Sequence, residues 1–208
     1  MALPQLDLSP MVIPAAVLIY GLLHSITASL GFKDFIALFF GRGFDRYYRL
    51  LYSFFATVSL VPIAAFVLLI PDIQLYTIPR PLIFLTVLVQ VAAVGLLIYS
   101  LTQTGAMQFI GVPQALGVKT VERLNTGGLY RYVRHPLYTF SMVVLWLFPV
   151  MTRNLLLMFA AMSVYFIIGA VFEERKLLRI FGAPYAEYRA KTPFIIPFLN
   201  GMPKNQGN

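Results

Sequence analysis

The side chains with the most chemical capacity crowd into one short stretch, Gly127-Gly128-Leu129-Tyr130-Arg131-Tyr132-Val133-Arg134-His135-Pro136-Leu137-Tyr138. The two glycines permit a close backbone approach or a positive φ, Pro136 suits the first turn of a helix, and free N–H groups at a helix start attract an anion such as a carboxylate. A bound ligand is one reading. An interfacial anchor is the other, because Tyr, Arg and His are ordinary residues at a membrane boundary and Gly-Gly is an ordinary turn. A second cluster, Glu173-Glu174, is followed by Arg175, Lys176, Leu177, Leu178, Arg179, Ile180 and Phe181 at helical spacing, with Gly182 as a stop signal. The chain holds only eight acids, so two adjacent ones stand out. Helix-surface attraction to Lys176 or Arg179, about 0.3 kcal/mol, accounts for them equally well.

His24 is a third candidate, since an ionisable residue inside an apolar stretch is a functional site by default. A neutral imidazole can accept the proton of a thiol whose pKa is near 8.5, and it can equally make an interhelical hydrogen bond with no catalytic part. Gln90 leaves the same two readings open. No metal site is expected, because the chain has two histidines and no helical His/Glu ligand pair. The absence of cysteine excludes disulfides, thiolate-bound zinc, iron–sulfur clusters, a cysteine nucleophile and lipidation through cysteine.

These residues must be positioned by a membrane fold. Of 208 residues, 59% are hydrophobic and 12% charged, and the mean hydropathy is +0.78; soluble domains run near 45–50% apolar and about 25% charged. The expected fold is all-α, a polytopic helical bundle forming a single domain over residues 1–208. Spans are predicted at 11–30, 48–70 and 81–101, with Pro62 a local kink rather than a break. The last apolar region, 137–172, is too long for one helix and is punctuated at Met151, Thr152, Arg153 and Asn154, which predicts a hairpin. Its first arm, 137–150, reaches only about 21 Å, short for a full crossing. Fourteen of the sixteen basic residues fall on one side, Lys204 among them, and only Arg80 and Arg153 on the other. The positive-inside rule then predicts five spans with the N-terminus outside and the C-terminus cytoplasmic. No basic n-region precedes the first span, so it is expected to remain uncleaved. A net charge of +8 needs no nucleic-acid partner, because the basic residues flank apolar runs.

Gly128-Leu129-Tyr130, Arg134-His135-Pro136-Leu137-Tyr138, a helical hairpin, then Glu173-Glu174, Leu177, Phe181-Gly182, Tyr185, Tyr188 and Ile196-Pro197 together resemble the isoprenylcysteine carboxyl methyltransferase and phospholipid methyltransferase superfamily over about residues 108–198. Upstream, His24-Ser25, Ala28-Ser29, Lys33 and Arg49-Leu50-Leu51-Tyr52, with Pro149-Val150-Met151-Thr152 at the hairpin tip, resemble its bacterial branch of methanethiol S-methyltransferases and denitrification-associated relatives. The resemblance implies an S-adenosylmethionine-dependent methyltransferase in a bacterial cytoplasmic membrane. It assigns cofactor binding to the region 102–208, which holds the motif, the hairpin and a cytoplasmic C-terminal helix behind three N-terminal spans.

On that basis Glu173 and Glu174 are expected at the ribose hydroxyls or amino group. His135, Gly128 and nearby backbone N–H groups are expected at the polar tail, and Tyr130, Pro136 and Tyr138 complete the walls. Sulfonium, ammonium, carboxylate and ribose hydroxyls call for acids, anion-binding donors and aromatic surface in one pocket, and all three occur here. Arg134 is expected to hold an acceptor's carboxylate or stabilise a thiolate, with headgroup anchoring as its alternative, and His24 is the candidate base. Acceptors compatible with this reading are a thiol, an isoprenylcysteine-type carboxylate or a phospholipid amine; membrane lipids are the other expected partners. The competing class is a non-enzymatic transporter or assembly factor of the same fold. Transport is disfavoured by the absence of inverted repeats and of charges at the bilayer centre.

Overall fold

A computed structural model describes residues 8–120 and 123–197. Lys204 and Phe198, invoked above, lie outside these residues. In chain order the elements are α1 (Ser9–Ala28), α2 (Leu30–Phe40), α3 (Asp45–Val58), α4 (Val61–Leu69), β1 (Gln74–Thr77), α5 (Arg80–Gln103), α6 (Ala106–Ile110), α7 (Val112–Ala115), α8 (Pro136–Trp146), β2 (Val150–Thr152), α9 (Arg153–Phe181) and α10 (Ala183–Lys191). Four helical stretches are long and apolar enough to cross a membrane: Ser9–Ala28, Asp45–Leu69, Arg80–Gln103 and Arg153–Phe181. The protein reads as an integral membrane protein of mostly helical structure.

The chain folds as two compact units. The first comprises the residues up to Arg80 together with Met107–Thr120 and Pro149–Tyr165. Its buried centre is Val17, Tyr20 and Ile63, against which Met158, Ala161, Met162 and Tyr165 pack. Pro62 falls in the first turn of α4, and the chain passes from α3 to α4 through Ser59 and Leu60, both of which keep right-handed helical dihedrals. The interruption is local: Leu60 N–H donates to Thr57 O at 3.2 Å and Ala64 N–H to Leu60 O at 3.1 Å on either side of Pro62, which has no N–H to donate.

β1 and β2 pair antiparallel, with Gln74 opposite Thr152, Tyr76 opposite Met151 and Thr77 opposite Val150. This small sheet is an addition to the helical bundle expected from sequence. Strands of three and four residues are too short to show a period-two pattern in sequence. They form because Ile78 N–H donates to Pro149 O at 2.9 Å and Arg153 N–H to Ile73 O at 3.0 Å. Asp72 Oδ1 accepts from Asn154 N–H at 3.0 Å, serving the start of α9, while Asn154 Nδ2 donates to Ile70 O at 3.0 Å beyond the end of α4. The hairpin tip expected at 151–154 is therefore a strand running straight into a helix.

The second unit comprises Pro81–Ala106, Val121–Phe148 and the chain from Phe166 onward. Here α8 is shorter than the 14-residue arm expected: 11 residues, about 16 Å. Its last carbonyls have no intrahelical partner. Gln90, in the middle of α5, donates Nε2–H to Val144 O at 2.8 Å and so satisfies one of them. That is the structural member of the two roles left open for Gln90. α9 contributes its second half to this unit; at 29 residues it measures about 44 Å, more than a hydrocarbon core of roughly 30 Å needs. Glu173 and Glu174 open its last nine residues.

Candidate functional site

The site lies within the second unit and is built from the loop 128–135, the start of α8, the end of α9, and α10 with the segment after it. Backbone pairing sets the frame: Arg134 N–H donates to Pro193 O at 2.9 Å and His135 N–H to Phe194 O at 3.3 Å. These two N–H groups, which the sequence offered as anion donors, are used internally. Thr139 Oγ1 adds a bond to Ile195 O at 2.6 Å, and the Tyr188 hydroxyl donates to Tyr130 O at 2.6 Å.

Consecutive residues on a helix diverge by about 100°, so Glu173 and Glu174 cannot share one environment. The Glu174 side chain is 8% exposed, that of Glu173 46%. Glu174 Oε1 accepts from Arg134 Nε–H at 2.6 Å and lies 3.4 Å from His135 Nε2, while Oε2 is 3.3 Å from Arg189 Nε. Arg134, 9% exposed, also donates Nη1–H to Arg189 O at 2.7 Å and Thr192 O at 2.5 Å. Those are carbonyls at the C-terminal end of α10, where a guanidinium satisfies orphan acceptors and complements the helix dipole. Arg134 and Glu174 thus clamp α10 to the loop.

Glu173 faces a different set of partners. Its Oε2 lies 3.7 Å from His135 Nδ1, and Tyr138 is hydrogen-bonded to it. The His135 ring packs between Tyr138, with centroids 5.6 Å apart, and Phe194 at 5.1 Å, edge-on. Burial pushes the His135 imidazole down to about 4; Glu174 opposes that shift and Arg134 adds to it. His135 is accordingly neutral at neutral pH, so only one of its two ring nitrogens carries a proton to offer Glu174 or Glu173. Pro136 is fully buried at the helix start.

Gly128 adopts φ +55°, and a Cβ there would sit 1.5 Å from Gln103 Nε2. The space opened by the missing side chain is filled by Gln103, whose Oε1 accepts from Leu129 N–H at 3.1 Å and whose backbone O accepts from Asn125 Nδ2 at 2.9 Å. Tyr130 is bonded to Ser100 through its hydroxyl at 3.4 Å. The structure therefore brings Gly128, Tyr130, Arg134, His135, Pro136, Tyr138, Glu173 and Glu174 into one unit, with the first two supporting the loop. Sequence reasoning gave no role to Arg189, Thr192 or Phe194, placed Gln103 only near a substrate entrance, and quoted Tyr185 only as part of the family motif. Tyr185 is 1% exposed, and its hydroxyl has no hydrogen-bond partner among the described residues; burial and Glu174 raise its pKa. No spacing rule points to Arg189, Thr192 or Phe194, since these act through backbone carbonyls or a ring face.

His24 belongs to the first unit. Its Nε2 is hydrogen-bonded to the Tyr52 hydroxyl at 2.6 Å, and its ring packs against those of Tyr20 and Tyr165. That bond joins α1 to α3, the structural role its position equally allowed. Among the described residues no group of His, Asp or Glu is arranged to hold a metal ion.

A family model described as "Phospholipid methyltransferase" matches residues 81–184, half of the chain. The chain belongs to the phospholipid methyltransferase family. The matched segment contains both acids and the whole 128–138 motif, and excludes His24. Among individual relatives, methanethiol S-methyltransferase 1 of Bradyrhizobium diazoefficiens is 37% identical over 83 residues, 40% of this chain and 29% of the relative. Methanethiol S-methyltransferase of Crocosphaera subtropica is 36% identical over 77 residues, 37% and 30% of the two chains. That of Pseudomonas deceptionensis is 32% identical over 117 residues, 54% and 45%. The bacterial branch expected from sequence is the one matched. The chain thus covers 29–45% of the length of these relatives. No solved structure matches the chain.

Proposed function

We propose that the protein is an integral membrane methyltransferase that uses S-adenosylmethionine and methylates a small or lipophilic acceptor, a thiol first among the candidates. The observation that carries this reading is the convergence of the Arg134–His135 loop on Glu173–Glu174, forty residues away in sequence, inside the segment matched by the family model. The residues present fit the donor: the half-exposed Glu173 carboxylate suits ribose hydroxyls or an ammonium, and Tyr138 and His135 offer aromatic surface beside it. When bound, the cofactor supplies an electrophilic methyl group on a sulfonium.

The chain's own contribution is binding and alignment. Glu173 holds the donor; neutral His135 packs its ring beside the site and has one ring N–H to offer the two carboxylates. Arg134 and Glu174 position the loop against α10 so that these groups stay in register. Geometry of this kind can contribute several kcal/mol to an in-line displacement, about 7 or more when the fit is close, and no covalent enzyme intermediate is needed. His24 retains its proposed part as proton acceptor only if His24→Ala lowers turnover more than it lowers stability. The thiol is favoured among acceptors by the names of the relatives. The cytoplasmic placement of the C-terminal region and a fifth crossing by the α8 arm belong to the same proposal and rest on the charge bias.

Incubating purified protein with labelled methyl donor and a panel of small thiols, prenylated peptides and phospholipid extracts tests it. Label in a thioether from one small thiol is the expected result. No transfer to any acceptor, together with no saturable binding of S-adenosylhomocysteine, would sink the assignment.

A further inference from the structure

The helix between the first two spanning stretches has no part in the candidate site. α1 ends at Ala28 and α3 begins at Asp45, and the two run side by side there: the Tyr48 hydroxyl donates to Thr27 O at 2.5 Å, four residues from the His24–Tyr52 bond. α2 therefore leaves and returns at one boundary. At 11 residues, about 16 Å, it is too short to cross a bilayer core of roughly 30 Å. Both its ends are fixed. The Ser29 side chain accepts from Phe32 N–H at 3.2 Å, Gly41 closes the other end at φ +76°, and Lys33 Nζ lies 3.8 Å from Asp45 Oδ2.

One side of α2, with Phe32 and Ile36, is half-buried against the protein. The other presents Phe35, Leu38 and Phe39, spaced i, i+3 and i+4 and 51%, 83% and 70% exposed. A contiguous apolar stripe of this kind marks an interaction surface. Its covalent ties fix its depth at the ends of two spanning helices, where the hydrocarbon gives way to headgroups. The charges beside it are suited to phosphate: Arg46 is exposed, with its guanidinium 4.5 Å from the Tyr47 ring centre, and residues 30–49 hold four basic side chains against two acidic ones. Gly111 sits against the Arg49–Leu50 backbone so closely that a Cβ would lie 2.7 Å from Leu50 N, and α6 and the turn after α7 expose Met107, Phe109 and Leu116.

We propose that α2 is an in-plane lipid-binding helix: Phe35, Leu38 and Phe39 enter the acyl boundary of one leaflet while Arg46 and Lys33 engage anionic phosphate headgroups. The apolar stripe of α2, with Lys33 on the same helix and Arg46 at the start of α3, supplies the two parts such a helix needs. The inference does not rest on the methyltransferase reading and its test needs no turnover.

The full chain has one tryptophan, so in a Trp146→Phe background new tryptophans report single positions. In bilayer nanodiscs containing lipids brominated high on the acyl chain, Phe39→Trp is expected to lose at least about half its emission, and Ile36→Trp, on the protein side, clearly less. Equal quenching at both positions, or none at 39, overturns the insertion. Quenching at 39 that disappears as protein is concentrated at constant lipid composition assigns the stripe to a second copy and overturns it too. For the headgroup half, retention of phosphatidylglycerol over phosphatidylcholine in mixed micelles is expected to fall about five-fold for Arg46→Gln and further for the pair with Lys33→Gln. Unchanged selectivity in both variants overturns that half.

Discussion

The division of labour between the two adjacent acids gives the sharpest test of the site. Replacing Glu174 by Ala leaves the Arg134 guanidinium, 9% exposed, without its carboxylate. Breaking a buried ion pair from one side costs about 3–5 kcal/mol. The low end applies here, about 3 kcal/mol, because Arg134 keeps its bonds to Arg189 O and Thr192 O. For a chain of this size each kcal/mol moves the melting temperature by about 2–4 °C, so a fall of about 6–12 °C is expected.

Glu173→Gln removes a charge from a side chain that is 46% exposed, which costs less than about 1 kcal/mol. It is expected to melt within about 3 °C of the parent and yet to weaken binding of S-adenosylhomocysteine. The double replacement of Arg134 and Glu174 by Met removes both charges at once and is expected to recover part of the loss, since no lone charge stays buried although the carbonyls of Arg189 and Thr192 lose their donor. Thermal unfolding in detergent, followed by intrinsic fluorescence, and calorimetric titration of the same samples read both quantities. If Glu174→Ala melts with the parent, or the double variant is no more stable than the single, the clamp is not what holds α10. If Glu173→Gln loses stability rather than binding, the roles are reversed.

The His135 imidazole is held down to about 4 by burial, against 6.5 when exposed. Between those values the unfolded chain binds more protons than the folded one. The contribution is thus complete above pH 6.5 and is lost as pH falls toward 4, by at most about 3 kcal/mol; melting curves from pH 4 to 8 should show a shallower slope for His135→Phe than for the parent. Gly128→Ala meets both a positive φ and the Gln103 amide, and a loss of about 1–3 kcal/mol is expected. Adding Gln103→Ala should restore only the steric part, as read from the same melting temperatures. Gln90→Leu strands the Val144 carbonyl in an apolar setting and should cost about 1 kcal/mol without changing S-adenosylhomocysteine affinity; an affinity loss greater than the stability loss would instead put Gln90 in the site.

Much of this was legible in the chain itself. Three long apolar runs marked α1, the α3–α4 stretch and α5 because a bilayer admits little else, and the ends of α1 and α5 fall within a few residues of those expected; the last run, 137–172, divides into α8 and α9, with α9 running on to Phe181. The chemical cluster was legible by type, since Gly, Arg, His and paired acids are scarce in so apolar a chain. The short elements were not. α2 falls between the first two expected spans, where no helix is predicted, while β1 and β2 exist only because each supplies the other's hydrogen bonds.

The sequence by itself determined a helical membrane protein and the residues able to do polar chemistry, because hydrophobicity and side-chain type are local properties. Only the tertiary structure decided how those residues divide. Glu173 and Glu174 are indistinguishable as letters, yet a turn of about 100° per residue commits one to Arg134, Arg189 and His135 and leaves the other half-exposed beside Tyr138. The carbonyls of Arg189 and Thr192 that complete the Arg134 clamp carry no sequence signature, since every residue has one and only folding selects which are met.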